Sequence, residues 1–296
     1  MTELYILPFD HRGSFMKIIA AASPPTEEDV AKAKEYKKII YEALQKSIEG
    51  GVPKDKAGIL VDEWLGKEIL TDAKSKGLIT CTPLEKSGQD EFDFDREDWK
   101  KQIEEIDPTY VKVLVRYNPE EDKEMNARQA ARLVELGNHL KTIGKKYLFE
   151  LLVPATDGQM EQAGNDKDKY EQELRPDLMV RAIKEIQDAG VDPHVWKLEG
   201  LDSTEKMQKV GDQVKAGNAE AGIIILGRGE SAEKAEHWLR MGAKVDNAVG
   251  FAVGRTVFKD ALSEYAAGTM TREQARDKIS ENYSFFVSVW QKVKAE

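Results

Sequence analysis

The chain has 296 residues, with 44 Lys and Arg against 54 Asp and Glu, a net charge of −10. That balance disfavours nucleic acid or an anionic membrane as the main partner, since both call for a basic surface. The one cysteine, Cys81, excludes an intramolecular disulfide and a cysteine-based zinc site, and reads as a small buried apolar residue.

The chain opens on a β-rich run, Leu4–Phe9, without the basic and long apolar stretch of a secretory signal. No apolar run approaches the roughly 20 residues that span a bilayer, so a cytoplasmic protein is expected. A helix is predicted next, from Glu27 to Ile48, with Thr26 as N-cap and Val30, Ala33, Tyr36, Lys37 and Ile40 on helical spacing. Further strands are predicted at Gly58–Asp62, Leu78–Thr82, Tyr110–Arg116, Tyr147–Val153, His194–Glu199, Gly222–Leu226 and Ala248–Val253. Helical stretches alternate with them: Glu68–Lys76, Arg96–Ile106, Asn126–Ile143, Pro176–Ala189, Ser203–Ala216, Ser231–Met241 and Thr256–Ala267, and Arg272–Val293 closes the chain. Gly50-Gly51, Gly77, Gly144, Gly190, Gly217 and Gly242 stand at the helix ends as stop signals. Eight βα units without a linker read as an α/β protein, a single (β/α)8 barrel over residues 1–296, with a doubly wound open sheet as the rival. The polar inserts Glu85–Asp95 and Thr156–Arg175 follow the third and fifth strands, on the face where such barrels carry their sites.

Three of these strands hold a charge inside an apolar run: Lys112 in Val111–Val115, Glu150 in Leu148–Leu152 and Lys197 in Val195–Leu198. A charge buried without a partner costs several kcal/mol or neutralises itself. Side chains alternate along a strand, so Lys112, Leu114 and Arg116 share one face and the three valines between them the other. The valines suit the helices, which turns Lys112 into the barrel; the same alternation puts Glu150 with Leu148 and Leu152, and Lys197 with Val195 and Glu199, and if those faces point inward the three charges lie near one layer on consecutive strands. Two amines and a carboxylate in a dry pocket are what Schiff-base chemistry requires: a neutral amine, an acid/base, and a second cation that lowers the amine's pKa. Position alone does not choose between Lys112 and Lys197 as nucleophile. The bland alternative is a barrel-filling ion pair, Lys112–Glu150 or Lys197–Glu199.

Two further strand ends combine glycine, arginine and a helix N-terminus: Gly227-Arg228-Gly229 after the seventh strand and Gly254-Arg255 after the eighth. Both places suit a phosphate. The first strand ends in Asp10-His11-Arg12, which fits a polyhydroxylated substrate or a capped turn with Asp10 pairing Arg12. Asp62 and Glu63, ending the second strand, admit both readings too. His11, His139, His194 and His237 lack metal-ligand spacing, so no metal is expected, magnesium on Asp10, Asp62 and Glu63 being the weak exception.

Taken in order, Asp10-His11-Arg12-Gly13-Ser14-Phe15, Val61-Asp62-Glu63, Val111–Leu114, Phe149–Leu152, Trp196–Gly200 and Gly254-Arg255 resemble the class I aldolases of the tagatose 1,6-bisphosphate aldolase type along nearly the whole chain. The likeness is stronger to the aldolase domain fused to some bacterial 5-dehydro-2-deoxygluconokinases, although these 296 residues hold no kinase segment. The resemblance implies a (β/α)8 fold, no cofactor and no metal. It makes Lys197 the Schiff-base lysine, Glu150 the catalytic glutamate and Lys112 the accompanying lysine, with Gly227, Arg228, Gly229, Gly254 and Arg255 at the phosphate. The chain departs from the tagatose-type pattern at His11, where glutamine is usual, and at Arg228.

The expected activity is cleavage of a phosphorylated keto sugar or keto sugar acid to dihydroxyacetone phosphate and an aldehyde, with 2-deoxy-5-keto-gluconate 6-phosphate the best single substrate. Asp10, His11, Arg12, Asp62, Arg116 and Glu199 are the candidate substrate contacts. The alternatives are tagatose 1,6-bisphosphate or a sulfonated fructose phosphate and, in another class, a non-catalytic sugar-phosphate sensor. The apolar stretch Tyr283–Trp290 suits packing on its own barrel or on a second copy in a homo-oligomer.

Overall fold

The structure, a computed structural model, describes residues 2–19 and 21–296. Its strands are β1 (Leu4–Pro8), β2 (Ala57–Leu60), β3 (Ile79–Pro83), β4 (Tyr110–Arg116), β5 (Lys146–Leu152), β6 (Val195–Glu199), β7 (Gly222–Leu226) and β8 (Ala248–Ala252). All pair in parallel and in chain order, and β8 closes on β1. The molecule is therefore a (β/α)8 barrel, and the open sheet is excluded.

Around the barrel run α1 (Gly13–Ile18), α2 (Glu27–Glu49), α3 (Glu63–Ser75), α4 (Trp99–Ile106), α5 (Lys123–Thr142), α6 (Asp157–Gln162), α7 (Lys167–Lys169), α8 (Arg175–Asp188), α9 (Thr204–Gly217), α10 (Ala232–Gly242), α11 (Arg255–Ala266) and α12 (Arg272–Ala295). Thr26 caps α2 in a reciprocal capping box with Asp29. Helix α3 starts five residues before its predicted Glu68, because Asp62 accepts the Leu65 N–H at 2.9 Å and caps it. Helix α4 starts at Trp99 rather than Arg96, whose guanidinium is drawn instead to Asp98, Glu63 and Glu105. The insert 156–175 is more ordered than its polar composition indicates. It folds into α6 and α7 and a π-helical turn, Tyr170–Leu174, that leads into α8.

Strand alternation sorts the interior into two populations. Val111, Val113, Val115, Phe149, Leu151, Trp196 and Leu198 face the helices. Leu4, Ile6, Leu60, Cys81, Tyr110, Leu148, Val195, Ile224 and Ala252 fill the barrel itself. Lys112, Glu150 and Lys197 each come two residues after a member of that filling, Tyr110, Leu148 and Val195, so they point inward one layer nearer the C-terminal mouth. Cys81 is buried and free, and burial pushes its thiol up.

Helix α12 lies against α2, Tyr283 donates to the Tyr5 carbonyl at 2.7 Å, and Trp290 donates to Glu3 at 3.1 Å. The aromatic stretch thus packs on its own barrel, with Phe285 left exposed. Among the described residues no helix is long and apolar enough to cross a membrane.

One buried ion pair ties the helical layer to the barrel. Lys37 of α2 is fully buried, sits 5.2 Å from the centre of the Phe15 ring, and pairs with Asp62. Burying Lys37 is tolerable only with that carboxylate beside it. Lys37→Met strands the Asp62 charge and is expected to destabilise the protein by roughly 3–5 kcal/mol in denaturant unfolding. Adding Asp62→Asn should recover part of the loss, and a single variant as stable as wild type would contradict this account.

Candidate active site

A cavity of about 770 Å³ opens at the C-terminal end of the barrel. Lys112, Glu150 and Lys197 line its floor at 1 %, 6 % and 5 % exposure, so all three are removed from bulk water. The register sets Glu150 beside Lys197 on adjacent strands. Glu150 Oε1 lies 2.7 Å from Lys197 Nζ, and Glu150 Oε2 lies 3.0 Å from Lys112 Nζ. One carboxylate thus bridges two amines.

Two more acids complete the cluster. Asp10, just beyond β1, is 3.0 Å from Lys112, and Glu85, just beyond β3, is 2.5 Å from it. Burial works against the Lys112 charge, but Asp10, Glu150 and Glu85 outweigh it and raise the pKa above the usual lysine range. Burial likewise opposes the Glu150 carboxylate, and Lys112 and Lys197 overcome it and lower the pKa. Asp10 follows the same logic, with burial opposed by Lys112 and Lys197 and a net shift well down. Glu85 goes the other way: burial dominates over Lys112 and raises it.

The rest of the predicted set divides. His11, Arg12, Arg116, Arg228 and Arg255 line the cavity. Burial pushes the His11 imidazole down to about 4, so it is neutral, and its Nδ1 has no hydrogen-bond partner among the described residues. Arg12 pairs with Asp95 at 3.1 Å and donates to the Glu85 carbonyl at 2.5 Å, so the Asp10–Arg12 pairing is replaced. Arg116 donates to the Gln89 carbonyl.

Five predicted residues lie outside the cavity lining: Asp62, Glu199, Gly227, Gly229 and Gly254. Asp62 is taken by Lys37 and by capping α3. Glu199 turns away from Lys197 to Arg228 at 3.2 Å and Arg175 at 3.5 Å, which removes the Lys197–Glu199 alternative. Arg228 is held there by Glu171 as well, from the insert after β5. Gly254 is needed because a Cβ there would come within 2.1 Å of the Pro8 carbonyl oxygen. Gly229 has φ 80°, and the Arg255 guanidinium packs where its Cβ would be, 2.7 Å away. The glycines therefore serve close packing in this structure, while the two arginines supply the positive charge.

Glu85 and Lys37 escaped the sequence reading. The signal for Glu85 was its parity, since Cys81, Pro83 and Glu85 continue one face beyond the strand end. Its raised pKa gives a sign for stability. The unfolded chain releases the Glu85 proton at an ordinary carboxyl pH, and the folded chain holds it to higher pH. Stability therefore falls as pH rises from the unfolded value through the folded one. Glu85→Gln removes that fall, and its melting temperature at neutral pH is expected above wild type. A lower one would mean that Lys112 stabilises an ionised Glu85.

The family profile described as "Uncharacterized protein conserved in bacteria (DUF2090)" matches residues 1–294. No curated protein matches the chain in sequence. Among solved structures, a fructose-bisphosphate aldolase from Plasmodium falciparum, in complex with TRAP and a small-molecule inhibitor, aligns with TM-score 0.66 at 12 % identity, over 99 % of this chain and 92 % of that one. The Corynebacterium glutamicum protein Cgl0159 aligns with TM-score 0.58 at 17 % identity, over 95 % and 85 %. A Schiff-base-forming fructose-1,6-bisphosphate aldolase aligns with TM-score 0.56 at 11 % identity, over 90 % and 93 %. These likenesses are of fold.

Proposed function

This chain belongs to the DUF2090 family of bacterial proteins, and from the geometry of its barrel mouth we propose that it is a Schiff-base aldolase. The observation that carries the reading is the bridge of Glu150 between Lys197 at 2.7 Å and Lys112 at 3.0 Å, all three buried side chains at the base of the cavity. The different surroundings of the two lysines support different roles. Lys112 has three acidic side chains around it, Asp10, Glu85 and Glu150, and stays an ammonium. Lys197 has Glu150, which can take its proton and free the lone pair.

The neutral Lys197 amine attacks the substrate ketone to give a carbinolamine. Glu150, now protonated, returns its proton to the departing hydroxyl, and water leaves as the iminium forms. The carboxylate then removes the proton from the substrate hydroxyl on the far carbon of the bond to be cleaved, the carbon that becomes the aldehyde. Electrons from that carbon–carbon bond flow into the iminium, an aldehyde departs, and an enamine remains on Lys197. Protonation and hydrolysis release dihydroxyacetone phosphate. Lys112 keeps Asp10 ionised and holds Glu150 in place.

The substrate is a phosphorylated keto sugar or keto sugar acid, with its ketone-side phosphate toward Arg228 and Arg255. The resemblance to the deoxygluconokinase-fused aldolase domains supports 2-deoxy-5-keto-gluconate 6-phosphate, which gives malonic semialdehyde. The test is reduction with borohydride in the presence of dihydroxyacetone phosphate, followed by peptide mass mapping. A reduced three-carbon phosphate adduct on Lys197 is expected, with activity indifferent to EDTA. No adduct at Lys197, or activity abolished by EDTA, would overturn the reading.

A further inference from the structure

The mechanism above leaves Glu85 unused, yet its burial and position call for a role. Glu85 is 5 % exposed and lines the same cavity. Its Oε1 meets Lys112, while its Oε2 has no hydrogen-bond partner among the described residues. An unpaired oxygen of a buried carboxyl in a substrate cavity is costly unless something pairs with it when the site is filled. Its placement is built rather than incidental. The segment after β3 folds back on itself, with Lys86 N–H donating to the Asp93 carbonyl at 3.0 Å and Asp95 N–H to the Leu84 carbonyl at 2.8 Å. Arg12 clamps the Glu85 carbonyl from the β1 side.

The charge count says which form it takes. Lys112 is the cation that Asp10, Glu85 and Glu150 all reach, while Lys197 is paired with Glu150. Three carboxylates around one cation repel, and one of them is best kept protonated. Asp10 and Glu150 are pulled toward ionisation, and Glu85 is pushed the other way. The charged or titratable groups that face Glu85 are Lys112 from β4, Asp10 and Arg12 from the end of β1, and Tyr147 from β5.

Topology says which half of a substrate it meets. Lys197 stands on β6, and Arg228 and Arg255 follow β7 and β8. A ketose phosphate anchored there extends its other half across the mouth toward β3 and β4, where Glu85 and Arg116 line the wall. We propose that Glu85 is a specificity-determining residue: its Oε2 carries a proton and donates a hydrogen bond to an oxygen on the half of the substrate that leaves as the aldehyde. This rests on the aldolase reading.

The test compares wild type, Glu85→Gln and Glu85→Ala in condensation of dihydroxyacetone phosphate with three aldehydes. Glyceraldehyde 3-phosphate and malonic semialdehyde carry a further oxygen function, and propanal does not. Glu85→Ala is expected to lose about tenfold or more in kcat/KM on the first two, mainly through KM for the aldehyde, and little on propanal. Glu85→Gln keeps a donor at that place and should recover most of the loss. Wild-type activity on the oxygen-bearing aldehydes should also fall as pH rises through the Glu85 titration, a limb that Glu85→Gln lacks. Equal loss in both variants, equal loss on all three aldehydes, or no loss in Glu85→Ala would overturn the proposal. Borohydride trapping on each variant separates the two levels. Trapping at Lys197 of wild type with Glu85 indifferent refutes Glu85 alone, whereas no trapping in wild type refutes the aldolase reading beneath it.

Discussion

Lys197→Met is expected to lose the borohydride-trapped adduct altogether and to lower kcat by at least about 10⁴-fold, the scale on which removal of a covalent nucleophile acts. Methionine matches the length of the lysine stem and keeps its packing. Glu150 still has Lys112 at 3.0 Å, so no carboxylate is stranded and the barrel should fold as before. The loss would then be one of chemistry. If the variant kept activity within tenfold of wild type, the imine would have to form elsewhere. Lys112 is a poor substitute, because the Asp10 and Glu150 carboxylates hold its proton. Transfer of the adduct to Lys112 in Lys197→Met would show that this reasoning about proton affinity is wrong.

Lys112→Met should bring the second large effect, on stability and activity together. It removes the cation that Asp10, Glu85 and Glu150 share, and breaking a buried pair from one side costs roughly 3–5 kcal/mol at neutral pH. The pH dependence has a definite sign. Asp10 and Glu150 have folded pKa values below their unfolded ones, partly through Lys112. Their contribution is present above the unfolded carboxyl values and is lost as pH falls through the folded ones. Lys112 itself has a raised folded pKa, so its share is lost only on the far alkaline side. The gap in melting temperature between wild type and Lys112→Met should therefore be widest at neutral pH and close toward acid, where the orphaned acids protonate. A gap that does not change with pH would mean that Lys112 matters for packing and not for charge.

Much of the site was legible because alternation along a strand is a local property. Valines on one face of Tyr110–Arg116 turn Lys112 inward whatever the rest of the chain does, and alternation puts Glu150 and Lys197 each on a single face of its strand, which the barrel turns inward. Asp10, named as part of the cluster that ends the first strand, shares the inward parity of Ile6 and Pro8, and Glu85 shares that of Cys81 and Pro83. Parity does not decide the partners of Asp62 and Glu199. Both lie on inward parity, yet stronger partners claim them: Lys37 and the start of α3 for the first, Arg175 and Arg228 for the second.

The order of strands and helices and the inward direction of Lys112 followed from patterning within single elements, which depends on residues a few positions apart, whereas closure of the barrel is decided by the pairing of β8 with β1. Which acid meets which base depended on where distant segments dock. Glu85 reaches Lys112 because the chain after β3 folds back, and Arg228 is held by Glu171 from the insert after β5. Gly254 is required by the approach of Pro8 from the other end of the chain. Those contacts join residues far apart in the chain, and short-range periodicity carries no information about them until the barrel closes.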